Sequence, residues 1–99
     1  MNTTVMSEDR QYQVESIVLQ MMDALENIME ISPISAAFAF QQISTRYLCQ
    51  FDRASVAEIL QAGAEHARKE VSAEEFHRRS HAPYDRICAA FDRADQPLN

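Results

Sequence analysis

Between residues 8 and 30 the apolar side chains recur every three or four positions. At about 100° per residue, Val14, Ile17, Val18, Met21, Met22, Leu25, Ile28 and Met29 fall within an arc of about 140°. This stripe predicts an amphipathic helix. Ser7 stands where an N-cap is needed, and Glu8 and Asp9 place carboxylates at the positive end of the helix dipole. Two residues leave the stripe: Tyr12 and Leu19, one heptad apart, fall on the opposite face among Glu15, Glu26 and Glu30.

The pattern then changes. Ser32 and Pro33 announce a second helix, serine as N-cap and proline at the first helical position, running to about Cys49. No charged residue occurs from Ile31 to Thr45. Ile34, Ala37, Phe38 and Leu48 share one side of the wheel, and Ala36, Phe40, Ile43 and Tyr47 share the other. A helix apolar on two faces is either enclosed in a core or shared with a partner.

A third helix is expected after FDRA, with Ser55 and Glu58 as a capping box. Val56, Ile59, Leu60, Gly63, Ala67 and Val71 follow helical spacing, and the small residues at 62, 63 and 64 admit a close neighbour. Ser72 and Glu75 form a second capping box, and Val71 with Phe76 fall at the positions of a hydrophobic staple, which sets the start of a fourth helix. Pro83 removes a backbone donor and disfavours the helical region at Ala82. The fourth helix is therefore expected to be disturbed there, either kinked or split, with Tyr84, Ile87, Cys88 and Phe91 on one face of the segment up to Arg93.

The resulting expectation is an all-α, compact bundle of four helices, the fourth split or continuous at Pro83. Residues 1–7 read as a flexible arm, 8–94 as a single helical domain and 95–99 as a loose tail. Composition agrees. The 99 residues suit one domain, 46% are hydrophobic, and a single glycine leaves few tight turns for a β fold. A core of this size has a thin stability margin unless association adds to it.

Charge narrows the function classes. The net charge is −6, and neither half of the chain is basic, so the footprint that a phosphate backbone requires is missing. Arg68, Lys69, Arg78 and Arg79 form a local basic cluster, but Glu65, Glu70, Glu74 and Glu75 interleave with it, which leaves a nucleic-acid-binding regulator as the third reading. The opening MNTTVMSEDR lacks the charge and apolar pattern of a secretory signal, and the longest apolar run, AAFAF, is far too short for a membrane span. A cytoplasmic location is expected, with Cys49 and Cys88 as free thiols.

The residues that could carry chemistry lie in EEFHRRSHAP. Glu74, His77 and His81 are spaced i, i+3 and i+7, one face of an unbroken helix, and Glu-x-x-His and His-x-x-x-His both hold metals in helical proteins. A metal-binding helical protein is thus the alternative reading. Against it stand Pro83 just beyond His81, the absence of inward acids on the first two helices, and the adjacent Arg78 and Arg79. Histidines and arginines near a helix C-terminus also complement its dipole without any ligand. His66 reads as a surface or partly buried imidazole, Cys88 as an inert thiol on an apolar face, and no nucleophile elbow or phosphate loop is present. No enzymatic activity and no cofactor are expected.

What remains is a surplus of apolar helix surface. It points to a non-enzymatic protein–protein interaction module, a small regulator, inhibitor or adaptor acting as a homodimer, with an acidic rim suited to a basic patch on a partner. Phe40, Ile43 and Tyr47 are the first candidate contact residues, and Tyr12 with Leu19 a second patch.

Overall fold

A computed structural model describes residues 6–94, so the 95–99 tail and most of the N-terminal arm lie outside the described residues. The described chain is all-α, with four helices and no strand: α1 (Glu8–Met29), α2 (Pro33–Cys49), α3 (Arg53–Ala67) and α4 (Ala73–Ala94). It divides into two compact units, one spanning Met6–Arg46 and the other beginning at Tyr47. No described helix is long and apolar enough to cross a membrane.

In the first unit the caps form as their residue types dictate. The Ser7 hydroxyl accepts from the Arg10 N–H at 3.2 Å, and the Ser32 hydroxyl from the Ile34 N–H at 3.2 Å, with Pro33 opening α2. α1 closes at Glu30, which adopts left-handed φ 57° while its N–H donates to the Glu26 carbonyl at 3.0 Å. Packing is sparse. α1 buries no residue and α2 buries only Ala36.

In the second unit α3 and α4 pack along each other. The start of α3 differs from the expected one. The cap is Asp52, not Ser55: its carboxylate accepts from the Ser55 N–H at 3.1 Å and the Ser55 hydroxyl at 2.7 Å, so the helix begins at Arg53. Aspartate and serine are both good caps, and Asp52 wins because Ser55 is needed elsewhere, as described below. α3 ends in a Schellman motif: Glu70 N–H donates to the Glu65 carbonyl at 2.9 Å and Lys69 N–H to that of His66 at 3.0 Å, with Lys69 at φ 63°. Ser72 caps α4 as expected, accepting from the Glu75 N–H at 3.1 Å, while the Glu75 carboxylate turns to Arg78.

α4 runs as one helix through Pro83, so it is not split there. A mid-helix proline costs about 3 kcal/mol, and here tertiary contacts offset it. The Pro83 ring is buried, and the residues four before and three after it, Arg79 and Arg86, are both tied to α3. The core is small: Val56, Ala62, Ile87, Cys88 and Ala90 are its buried apolar residues. Leu60 and Ala67, which follow the helical spacing of α3, are exposed. Three aromatic rings extend the contact, Phe51 meeting Tyr47 and Phe91 edge to face at 5.4 and 5.3 Å.

The single glycine is not used for a turn. Gly63 lies inside α3, where an added Cβ would sit 3.5 Å from the Phe76 ring, ordinary van der Waals distance. Gly63→Ala is therefore expected to stabilise the protein by about 0.5–1 kcal/mol, through lower backbone entropy in the unfolded chain. Thermal denaturation followed by circular dichroism checks this, and a lowered midpoint would refute the space assigned at Phe76.

Candidate docking faces and the polar ties

The two units use their side chains differently. Among the described residues twelve large apolar side chains are exposed, and eleven of them lie on α1 or α2. Of the candidate contact residues, Tyr12 is 73% exposed and Leu19 59%, on the polar side of α1. Ile43 is 57% exposed, Tyr47 half-exposed against Phe51, and Phe40 half-buried on the side of α2 that also carries the buried Ala36. The opposite side of α2 is more open still, with Ile34 and Phe38 projecting into solvent. The α1 stripe is uneven. Val18, Met22 and Leu25 are half-buried, while Val14, Ile17, Met21 and Ile28 are exposed.

The α3–α4 unit instead joins its helices by charged ties. The Arg79 guanidinium grips the Glu65 carboxylate with two bonds at 2.8 and 3.2 Å, a bidentate geometry suited to arginine. Seven residues later on α4 and seven earlier on α3, Arg86 pairs with Glu58. The two rungs run in opposite chain directions, as an antiparallel pair requires. Arg86 Nε also donates to the Ser55 hydroxyl at 3.0 Å, and that hydroxyl donates to Asp52. Ser55 is almost completely buried, so one hydroxyl links the α3 cap to α4. The Ser55 bonds, side chain first, together with the Arg86 charge hold the Asp52 carboxyl below its ordinary value, and Arg79 does the same for Glu65. None of this was legible beforehand. The partners lie 14 to 31 residues apart, beyond the reach of helical spacing.

The histidine stretch takes a different form from either reading offered for it. α4 is continuous through His81, so Glu74, His77 and His81 do share one helix, yet all three are exposed. Among the described residues no three His, Cys, Asp or Glu side chains are grouped so as to hold a metal ion. The dipole role also falls away, because the helix continues to Ala94 and these residues lie in its first half. Arg78 pairs with Glu75 and Arg79 with Glu65, while Arg68 pairs with Glu70, so three of the four cations in the basic cluster face carboxylates. His66 is part-buried. Its ring stacks on Phe76 at 5.5 Å, and Nδ1 lies 3.2 Å from the Val71 carbonyl, which assigns the proton to that nitrogen.

Both cysteines are free thiols, Cys88 buried and Cys49 half-buried. Burial pushes the Cys88 thiol up, and the carboxylates of Asp85 and Asp92 add to the effect, the opposite of what a nucleophile needs. One shallow groove lies beside the rungs, lined by Ala54, Ala57, Glu58, Gln61 and Arg79. Two of its charged lining groups are already engaged in the ion pairs, and it lacks the enclosed apolar walls of a small-molecule site. Compared with known protein families, curated proteins and solved structures, the chain matches none.

Proposed function

We propose that this chain is a non-enzymatic protein–protein interaction module, of the regulator, inhibitor or adaptor kind, that acts as a homodimer. One observation carries the reading: the large exposed apolar side chains concentrate on α1 and α2, while the charged ties concentrate between α3 and α4. Full burial of a large apolar side chain is worth roughly 1.5–3 kcal/mol, so a cluster of them left in water favours association. In this division of labour the α3–α4 unit is held by its own contacts, and α1 with α2 presents surface. Phe40, Ile43 and Tyr47, with Tyr12 and Leu19, remain the proposed residues for contact with a partner or with the second copy. A cytoplasmic location belongs to the same proposal, since two free thiols suit a reducing compartment.

Native mass spectrometry of the untagged full chain tests the proposal. A mass of two chains with nothing added is the expected result. A single-chain mass at every concentration overturns the homodimer, and a single-chain mass carrying a bound ion would move attention to Glu74, His77 and His81.

A further inference from the structure

We propose that two copies of this chain pair through their α1 helices, antiparallel, along the seam Val14, Ile17, Met21, Ala24 and Ile28. The inference rests on the homodimeric reading above and specifies its contact. These five residues are spaced by alternating steps of three and four, the a/d repeat of a coiled coil, and all five are exposed. The repeat is narrower than the whole apolar stripe. Half-buried Val18, Met22 and Leu25 lie to one side of it, together with the exposed Met29 at the helix end, so the seam is the continuous edge of the stripe that the chain leaves exposed.

The flanks of the seam select the occupant. With Val14 at position a, the g positions are Gln13, Gln20 and Asn27, and the e positions are Val18 and Leu25. None is charged. The carboxylates Glu15, Asp23 and Glu26 all fall at outer positions b, c and f, away from the contact. A helix built to seat a basic partner would carry acids at e and g, where they set partner choice. Acids there would also repel a second copy. An amide both donates and accepts, so a row of amides is complementary to itself, which is the condition a two-fold contact imposes.

The same flanks select the direction. In a parallel pair each g position meets an e position of the other copy, which sets Gln20 against Leu25, an amide against an aliphatic chain. In an antiparallel pair g meets g and e meets e. In the register that sets Ile17 against Ile28 and Met21 against Ala24, with Val14 at the end of the contact, Gln20 faces Asn27 of the other copy and Val18 faces Leu25. Polar and apolar edges are thereby separated, and the two helix dipoles oppose each other favourably.

Sedimentation equilibrium of the full chain tests this with two double variants at exposed positions. Gln20→Lys with Asn27→Lys places like charges across the contact and is expected to weaken dimerisation by about tenfold or more. It also makes the net charge of −6 less negative, so general repulsion changes in the opposite sense. Gln20→Glu with Asn27→Lys leaves the net charge unchanged, creates two opposite-charge pairs, and is expected to dimerise at least as tightly as wild type. Circular dichroism confirms that α1 stays helical in both. If the wild type dimerises and the two variants match each other in affinity, the antiparallel seam is overturned while the homodimer stands. If the wild type is a single chain at every concentration, the homodimer and the seam fall together.

Discussion

Ile87→Ala is expected to lower stability by about 2–5 kcal/mol, the range for truncating a buried aliphatic side chain. The size of the effect follows from how little core there is. In the α3–α4 unit the buried apolar residues are Val56, Ala62, Ile87, Cys88 and Ala90, and only Val56 and Ile87 are sizeable aliphatic side chains. Alanine at 87 removes three carbons from one of those two side chains. With a total stability of about 5–15 kcal/mol for a small domain, such a loss approaches global unfolding. Urea denaturation followed by circular dichroism measures it, with Leu60→Ala as the control. Leu60 is exposed on α3, and its truncation is expected to change stability by about 0.5 kcal/mol or less. Equal losses for the two variants would refute the assignment of the core.

Ser55→Ala is expected to cost about 1–3 kcal/mol at neutral pH, because the buried hydroxyl serves two charged groups at once. It donates to Asp52 and accepts from Arg86, and its removal unlinks the α3 cap from α4. The pH dependence gives the prediction a sign. The folded-state pKa of Asp52 is lowered from its ordinary 3.8, first by the Ser55 hydroxyl. A depressed carboxyl contributes stability that is present above its unfolded value and is lost as the pH falls through the folded one. The gap between wild type and Ser55→Ala is therefore expected to be widest near neutrality and to narrow as the pH falls below 3.8. Denaturant midpoints of both proteins along an acid series check it. A gap that widens in acid would show that the hydroxyl does not act through the Asp52 carboxylate.

Helix existence was open to reading because its causes are local. Ser7, Ser32 and Ser72 cap the helices they were expected to cap, with 3.1–3.2 Å bonds to the first-turn amides. The α3 cap was misplaced by three residues for an equally local reason. Two competent caps, Asp52 and Ser55, stand three apart, and their order of preference depends on a contact from α4. Continuity at Pro83 has a longer-range cause. Proline's cost is a backbone property that any sequence displays, whereas the flanking ties that offset it join residues 14 and 31 positions apart. The histidine stretch shows the same limit. Spacing placed Glu74, His77 and His81 on one helix face, but a ligand set needs convergence with other elements, and these three stand in solvent.

By itself the sequence determined the all-α class, the four helices and the presence of more apolar helix surface than the chain encloses. Those follow from periodicity, caps and composition, which act over a few residues. Only the tertiary structure decided which apolar residues stay exposed. It left Val14, Ile17, Met21 and Ile28 open while half-covering Val18, Met22 and Leu25 within one continuous stripe. It also decided which arginine meets which carboxylate, joining Glu65 to Arg79 and Glu58 to Arg86. The physical reason is that a wheel gives each side chain a direction but no neighbour. Burial and ion pairing are properties of two elements at once, and they exist only after the chain has brought those elements together.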